Sequence, residues 1–244
     1  MADFYDDFAA DYHLAYGGRW DEAVERQGRA LGELLPEGAR NVLDCSCGIG
    51  TQAIGLALLG YRVVGTDPSR GAIERARREA ARLGASVDFA VADFRDLSGI
   101  EGEFDAVISC DNALPHLLDP SDIVVALTQM RSKAPVAIVT MRDFDEALRE
   151  KPPVAPTVRV GNRVLIRLHE WENDQYTVRY LVLTEHDGAW DVVEHRTRYR
   201  AITRAELEAA AREAGFASTS WSDRAIVGNQ LTFVATQAGA FRER

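Results

Sequence analysis

The sequence lacks features that a secreted or nucleic-acid-binding protein would need. It has only three cysteines, two of them at positions 45 and 47, and no CxxC pair, so neither a disulfide framework nor a structural zinc site is expected. Acidic residues outnumber basic residues by 38 to 28, and the net charge is −10 with a pI of about 5.0. Because a phosphate backbone requires a basic face, we expect no nucleic-acid partner.

Long apolar runs are also missing. No stretch approaches the length of a membrane span, and the acidic, aromatic start MADFYDDFAADYH has neither the basic nor the apolar part of a signal peptide. We therefore expect a cytoplasmic protein without a membrane partner. The 244 residues, 46% of them hydrophobic, suffice for the core of one large α/β domain.

The stretch Asn41–Gly50 combines a short apolar run with a glycine-rich turn. The run ends at Asp44, and Gly48 and Gly50 follow before a helical segment, which predicts a buried strand and a turn that a ligand can approach closely. The next predicted strand is followed by Asp67, at the spacing where an acidic residue holds the ribose hydroxyls of a nucleotide. The pattern favours a nucleotide-type cofactor over an ordinary turn with a solvated aspartate.

Strand and helix signals alternate through the first 140 residues. Strands are predicted over 42–44, 61–66, 87–91, 104–109 and 135–140, and helices over 21–35, 51–59, 70–83 and 121–130. A helix over 204–214 precedes two more strands, over 217–221 and 230–236. This alternation predicts a Rossmann-like α/β fold, with a doubly wound, mostly parallel, seven-stranded sheet.

Residues 152–200 break the alternation. Three prolines open this stretch, and strand candidates over 164–171, 176–185 and 190–199 are separated by the turn pairs Asn173-Asp174 and Asp187-Gly188. We predict an inserted three-stranded antiparallel meander within a single domain over 1–244, with 152–200 as a substrate-lid subdomain. The aromatic residues within 1–20 predict an N-terminal lid segment or, equally well, a helix packed on the body.

The sequence resembles the class I S-adenosylmethionine-dependent methyltransferases in four motifs that follow one another along the chain, namely VLDCSCGIG, GTD, VADF and FDAVISCDNALPHLL. The resemblance is greatest to the glycine and sarcosine N-methyltransferases, since residues 111–117 are similar to their G-N-x-x-x-H-L segment and residues 142–145 to their R-N-Y-D segment. Asp111 replaces a glycine of that group and Phe144 a tyrosine. The resemblance implies S-adenosylmethionine as cofactor, S-adenosylhomocysteine as product and a small-molecule methyl acceptor.

The resemblance also implies a cofactor site. Asp67 would bind the ribose, Asp93 the adenine amino group and Asp44 the ammonium of the methionine tail. Arg26 would bind the tail carboxylate bidentately, unless it is a solvated helix arginine. The complete set of expected cofactor-binding residues is Arg26, Asp44, Ser46, Gly48, Gly50, Asp67, Pro68, Asp93, Phe94, Cys110 and His116.

The acceptor site is expected beside it. Arg142 would hold a carboxylate unless it pairs with a neighbouring aspartate, and Asn112 would orient an amine through its carbonyl oxygen. Tyr5 and Tyr16 would close the site around the sulfonium. The candidate catalytic residues are Asn112, Arg142 and His116, and the candidate substrate-binding residues are Tyr5, Tyr16, Asn112 and Arg142.

We expect N-methylation of an amino acid or related amine by in-line displacement. One alternative is an O- or C-methyltransferase acting on a natural-product scaffold, with Asp111 and Phe144 shaping the pocket. A NAD-dependent dehydrogenase is another, because Gly48–Ala53 also satisfies G-x-G-x-x-(G/A), and an inactive methyltransferase-like binding protein is a third.

His116 and Asp111 are possible bases only if they face the acceptor. No metal-ligand spacing is present, so no metal is expected, and the oligomeric state stays open.

Overall fold

The computed structural model describes residues 2–222 and 225–240. Its helices are α1 (Ala2–Phe8), α2 (Trp20–Gly32), α3 (Thr51–Leu58), α4 (Arg70–Leu83), α5 (Pro120–Lys133), α6 (Phe144–Glu150) and α7 (Arg204–Glu213). Its strands are β1 (Asn41–Asp44), β2 (Arg62–Asp67), β3 (Asp88–Val91), β4 (Ala106–Ser109), β5 (Val136–Met141), β6 (Val158–Val160), β7 (Arg163–Glu172), β8 (Gln175–His186), β9 (Ala189–Arg200), β10 (Ser218–Ser222) and β11 (Leu231–Thr236). Two short 3-10 turns lie at Tyr12–Tyr16 and Leu114–His116.

Seven strands form the main sheet, in the order β3-β2-β1-β4-β5-β11-β10. Strands β1 to β5 are parallel, whereas β11 runs antiparallel to both of its neighbours. The predicted α/β fold with a mostly parallel seven-stranded sheet is therefore confirmed. Because the chain winds outward in both directions from β1 and β4, a crevice opens at the carboxyl ends of these strands.

The stretch after α6 forms a separate antiparallel sheet in the order β6-β7-β8-β9. The prediction of three strands is wrong in one respect, because β6 adds a fourth. This strand has only three residues and follows the prolines, so it is too short for alternation to reveal it. The two predicted turns are present, with left-handed backbone at Asn173 (φ 56°), Asp187 (φ 50°) and Gly188 (φ 82°).

The N-terminal segment packs on the body of the domain. The Asp6 carboxylate, on α1, accepts hydrogen bonds from the Ser69 hydroxyl (2.6 Å) and the Gly71 N–H (2.8 Å) at the start of α4. The Phe8 side chain is buried beside Leu165 and Val182 of the antiparallel sheet. This segment therefore connects the two sheets, and its tyrosines reach the crevice between them.

Among the helices within residues 2–222 and 225–240, none is both long and apolar enough to span a bilayer.

Candidate functional site

A cavity lies at the carboxyl ends of β1, β2 and β4, and we call it the strand-tip cavity. The N-terminal segment supplies part of its wall. It is lined by Tyr5, Tyr12, Tyr16, Ser46, Cys47, Gly48, Ile49, Thr51, Gln52, Asp67, Pro68, Phe94, Cys110, Asp111, Ala113 and His116. The structure thus brings together nine of the predicted site residues, namely Tyr5, Tyr16, Ser46, Gly48, Asp67, Pro68, Phe94, Cys110 and His116.

Asp67 is fixed by the glycine turn. Its carboxylate accepts hydrogen bonds from the Gly48 N–H (3.0 Å) and the Ser69 N–H (2.9 Å). Burial raises the pKa of Asp67 to about 6, although both backbone hydrogen bonds act in the opposite direction. Gly48 has a left-handed backbone (φ 51°), which explains the need for glycine there. The arrangement holds a buried carboxylate in a fixed orientation at the cavity wall.

Asp44 lies at the end of β1 and is fully buried. One carboxylate oxygen accepts from the Ser46 N–H (3.3 Å), whereas Oδ2 has no hydrogen-bond partner among the described residues. Burial, followed by the charge of Asp67, raises the pKa of Asp44 to about 7. An unpartnered buried carboxylate oxygen suits a ligand that brings a cationic N–H donor.

Three of the predicted cofactor residues lie near the site without lining it, namely Asp44, Gly50 and Asp93. Gly50 is the N-cap of α3 with a left-handed backbone (φ 92°), and a Cβ there would lie 2.9 Å from Ile54. Asp93 forms an ion pair with Arg95 at 2.7 Å, and Arg95 donates to both of its carboxylate oxygens. The structure therefore does not place a free Asp93 carboxylate in the cavity, although the neighbouring Phe94 does line it.

The structure does not bring Arg26 to the site. Arg26 is exposed on α2 and is not among the residues that line the cavity. The residue that faces inward is its neighbour Gln27, whose side-chain oxygen accepts from the Gln52 amide at 2.6 Å. Successive helix positions are about 100° apart, so the buried face of α2 includes Gln27 and excludes Arg26. The expectation of a carboxylate contact at Arg26 is corrected accordingly.

A cluster of hydroxyl groups surrounds Asp111. Tyr12 and Tyr16 donate to Asp111 Oδ2 at 2.8 and 2.9 Å, and the Gln230 amide donates to Oδ1 at 3.0 Å. Asp111 has a left-handed backbone (φ 58°), a conformation that favours glycine. The glycine and sarcosine N-methyltransferases, which the sequence resembles, have a glycine at this position. Its carboxylate has three neutral donors and, among the described residues, no cation within 4 Å.

A second cavity continues from this cluster toward the antiparallel sheet, and we call it the sheet cavity. It is lined by Tyr5, Phe8, Tyr12, Ala15, Asp111, Asn112, Arg142, Arg167, His169, Tyr176, Val178, Tyr180, Tyr199 and Gln230. Tyr5, Tyr12 and Asp111 line both cavities. They form the boundary across which two bound molecules would meet.

Arg142 and Asn112 lie together in the sheet cavity. The Arg142 guanidinium donates to the Tyr176 hydroxyl at 3.4 Å, and the Arg142 backbone N–H donates to Asn112 Oδ1 at 3.1 Å. The Asn112 oxygen that we expected to orient an amine is thus already an acceptor for the backbone. Asn112 positions Arg142, and Arg142 has no carboxylate within 4 Å among the described residues.

His116 lines the strand-tip cavity but not the sheet cavity. Tyr5 OH lies 2.7 Å from its Nε2, and Thr197 Oγ1 lies 3.3 Å from its Nδ1. Burial lowers the pKa of His116 to about 3, so the ring is neutral. Of the two possible bases, only Asp111 faces the sheet cavity.

Sequence reasoning missed most of the sheet cavity. The residues concerned are Arg167, His169, Tyr176, Tyr180 and Tyr199. Arg167 pairs in register with Tyr180, and Tyr176 with Tyr199, so these side chains share one face of the sheet. The alternation of polar and aromatic residues in β7 and β8 was the available signal, because every second residue of a strand lies on the same face.

Within residues 2–222 and 225–240, no three His, Cys, Asp or Glu residues are grouped so that they could hold a metal ion.

Comparisons with known proteins agree with this geometry. Residues 42–133 match a family described as a methyltransferase domain. The chain is 34% identical over 154 residues to a glycine/sarcosine N-methyltransferase of Parasynechococcus marenigrum, covering 59% of this chain and 55% of that protein. It is 43% identical over 88 residues to a ubiquinone biosynthesis O-methyltransferase of Methylocella silvestris, covering 36% and 34%. The chain thus spans about half and about a third of the lengths of these relatives.

A solved structure shows the same fold. It is CalS10 with S-adenosylmethionine bound, an amino pentose methyltransferase from Micromonospora echinaspora involved in calicheamicin biosynthesis. The TM-score is 0.76 at 23% identity, and the match covers 93% of this chain and 96% of that one.

Proposed function

We propose that this chain is a class I S-adenosylmethionine-dependent methyltransferase and that it transfers a methyl group to the nitrogen of a small amine that carries an acid group. The match of residues 42–133 to a methyltransferase domain and the methyltransferase relatives support methyl transfer. The strand-tip cavity would hold the methyl donor, and the sheet cavity would hold the acceptor. The glycine/sarcosine N-methyltransferase relative supports nitrogen as the acceptor atom.

The strand-tip cavity suits each part of the donor. S-adenosylmethionine, when bound, supplies a methyl group on positively charged sulfur. The fixed Asp67 carboxylate would accept hydrogen bonds from the ribose hydroxyls. Asp44 Oδ2, which has no hydrogen-bond partner among the described residues, would accept from the ammonium of the methionine tail. Phe94 would provide an apolar contact for the adenine ring, and backbone groups near Ser46 and Cys110 would meet the remaining polar atoms.

The single observation that carries the acceptor assignment is the Arg142 guanidinium. It lines the sheet cavity, its one hydrogen bond from the guanidinium to a described residue goes to a neutral tyrosine, and it has no carboxylate within 4 Å in the described chain. Guanidinium groups bind carboxylates bidentately. An acid group on the acceptor would complete this site.

The protein would contribute mainly alignment. The acceptor nitrogen gives its lone pair to the methyl carbon while the sulfur keeps the electron pair of the broken bond, and the nitrogen then releases a proton. Holding a deprotonated nitrogen within about 3–3.5 Å of the carbon is enough to supply much of the rate. Tyr12, Tyr16 and Asp111 would orient the amine at the boundary of the two cavities.

An Arg142→Ala variant tests the proposal. The acceptors offered would be a panel of amines, amino acids, phenols and carboxylic acids with isotopically labelled S-adenosylmethionine. We expect the KM of the methylated amine to rise roughly 10- to 150-fold, the equivalent of about 1.5–3 kcal/mol for a charged hydrogen bond. Binding of S-adenosylhomocysteine, measured by calorimetry, should stay unchanged.

The matched control is Arg149→Ala, since Arg149 is exposed on α6 and should affect neither measurement. Equal loss of both ligands in Arg142→Ala would contradict the assignment. Methylation of phenols without any amine would favour the O-methylation alternative. Phe144, expected to shape the pocket in that alternative, is buried in the core at 1% exposure and does not line the sheet cavity.

A further inference from the structure

We propose that the acceptor is an aminodicarboxylate, an amine that carries two acid groups, bound between two arginines at one end of the sheet cavity and Asp111 at the other. This inference rests on the proposed function and narrows its substrate class. Arg142 and Arg167 line the same cavity as Asp111, and neither arginine has a carboxylate within 4 Å among the described residues.

Arg167 is the residue that extends the site beyond one carboxylate. It lies on β7, opposite Tyr180 of β8. Its Nε is buried without a hydrogen-bond partner in the described chain, and Nη2 donates to the Pro156 carbonyl at 3.3 Å. Buried polar groups are nearly always hydrogen-bonded. Because Arg167 lines the sheet cavity, a ligand bound there would supply an acceptor for this side chain.

Other arginines of the structure do find carboxylates. They include Arg75 with Glu79, Arg95 with Asp93 and Asp122, Arg163 with Asp11, Arg200 with Asp174 and Glu206, and Arg204 with Asp143. Exposed arginines such as Arg62 and Arg70 also lack such a partner, and so does the half-buried Arg131. Arg142 and Arg167 differ from these because both line one cavity. The cavity is therefore positively charged inside an acidic protein.

The acidic residues near this pair form no ion pair with it. Glu146 and Glu150 lie in an outer groove that Arg142 and Arg167 also line. Both glutamates are exposed, and neither is within 4 Å of these guanidinium groups. Asp143, in the same groove, forms its ion pair with Arg204 at 2.6 Å.

The charges of the sheet cavity define the ligand. His169 is neutral, since burial and the charge of Arg142 lower its pKa to about 4. Two guanidiniums and the Asp111 carboxylate then leave one positive charge without a counter-charge. A ligand with one ammonium and two carboxylates compensates all three groups, whereas a monocarboxylic amino acid would leave one guanidinium unpaired, which is costly at a partly buried position.

The experiment compares acids with their neutral amides. L-Aspartate and L-asparagine form one pair of probes, and L-glutamate and L-glutamine form the other. For each probe, kcat/KM is measured with labelled S-adenosylmethionine, and binding is measured by calorimetry in the presence of S-adenosylhomocysteine. We expect at least one acid to be preferred over its amide by tenfold or more in both measurements.

Arg167→Gln should abolish this preference. The acid should fall to the level of its amide, and the amide should be affected less than threefold. The matched control is Arg179→Gln on β8, because Arg179 pairs with Glu194 on the outer surface and its loss should leave the preference intact.

The outcomes separate the two proposals. An amide that equals or exceeds its acid overturns the inference but leaves the proposed function standing, and so does Arg167→Gln if it weakens acid and amide alike. If no amine is methylated, the proposed function fails, and the calorimetric comparison then tests the remaining part of the inference, the binding of a dicarboxylate by the two arginines. Preferential binding of an acid that is lost in Arg167→Gln supports it, and equal binding of acid and amide overturns it.

Discussion

The two cavities differ in charge and in the way the chain builds them. The strand-tip cavity is lined by Asp67 and, among the described residues, by no arginine. The fully buried Asp44 lies outside this lining but accepts a hydrogen bond from the N–H of Ser46, which belongs to it. The sheet cavity has two arginines, and Asp111 stands at the boundary. Because the two cavities differ in charge, a cationic ligand would favour the strand-tip cavity and an anionic ligand the sheet cavity. This difference would prevent either ligand from binding in the other's cavity.

Construction differs as well. The strand-tip cavity uses residues that follow directly after consecutive parallel strands, where backbone N–H groups and carboxylates meet at one edge. The sheet cavity uses side chains from the middle of long antiparallel strands together with residues of the N-terminal segment. Its geometry therefore depends on contacts between parts of the chain more than 100 residues apart, such as Gln230 with Asp111.

The largest expected effect concerns the charge of the strand-tip cavity. The pKa of Asp44 is raised from 3.8 to about 7 by burial. Between these pH values the folded protein keeps a proton that the unfolded chain has released, so stability falls as the pH rises through this range. Asp44→Asn should therefore stabilise the ligand-free protein by up to about 4 kcal/mol at pH 8 and by little below pH 4, as measured by denaturant unfolding.

The same variant should bind S-adenosylhomocysteine more weakly, because an amide cannot balance an ammonium. Asp93→Asn is the control, because the pKa of Asp93 is shifted in the opposite direction from that of Asp44. The pKa of Asp93 is lowered through its hydrogen bonds with Arg95, so removing its charge should not stabilise the protein at high pH. A pH-independent difference between Asp44→Asn and the parent protein would contradict the buried-charge interpretation.

A second prediction concerns Asp67, which anchors the glycine turn. Asp67→Ala leaves the N–H groups of Gly48 and Ser69 without their acceptor. We expect S-adenosylhomocysteine affinity to fall by roughly 30- to 150-fold, the equivalent of about 2–3 kcal/mol, as measured by calorimetry. Asp93→Ala should change it by less than tenfold, since Asp93 does not line the cavity. Equal losses would mean that the cavity boundaries are misplaced.

The strand-tip cavity was predictable from the sequence, and the reason is local. Asp44, Gly48 and Asp67 each stand next to the end of a predicted strand, and parallel strands bring their ends to one edge. The prediction for Arg26 was wrong because the sequence alone did not fix which residues of α2 face the core. The buried face of this helix carries Gln27 instead. Asp93 illustrates a different limit, since the pairing of its side chain with Arg95 carries no signature in the pattern of strands and helices.

The sheet cavity was predictable only in part. The position of Arg142 follows from the end of β5, but Arg167 lies in mid-strand and becomes significant only through the register of β7 with β8. The strand β6 has three residues and the helix α6 has seven, which are too few to show a strand alternation or a helical period. Neither has the apolar run by which the four-residue strand β1 was predicted. The lid roles of residues 1–20 and 152–200 stay predictions, although both regions contribute side chains to the sheet cavity.

A third prediction concerns the packing behind the strand-tip cavity. Helices α2 and α3 approach closely at Gly28 and Gly55, and a Cβ at Gly55 would lie 2.3 Å from the Val24 carbonyl oxygen. Gly55→Ala should destabilise the fold by about 1–3 kcal/mol, measured by denaturant unfolding, and should also weaken S-adenosylhomocysteine binding by displacing α3. Gly99→Ala is the control, because a Cβ there meets no atom within 4 Å. Unchanged stability of Gly55→Ala would show that the helices separate without cost.

The smallest expected effect comes from removing one tyrosine hydroxyl in each cavity. The two substitutions test whether the cavities bind their ligands independently. Tyr176→Phe removes the hydroxyl that accepts from Arg142 at 3.4 Å, while the ring stacked on Trp171 (4.3 Å) is kept. We expect the acceptor KM to rise two- to fivefold, about 0.5–1 kcal/mol, with S-adenosylhomocysteine affinity unchanged. Tyr16→Phe removes a donor to Asp111 at the wall of the strand-tip cavity and should alter S-adenosylhomocysteine affinity by a similar factor. If Tyr176→Phe weakened both ligands equally, the tyrosines and arginines would have to be treated as one coupled site, because a hydroxyl confined to the sheet cavity would then reach the other ligand.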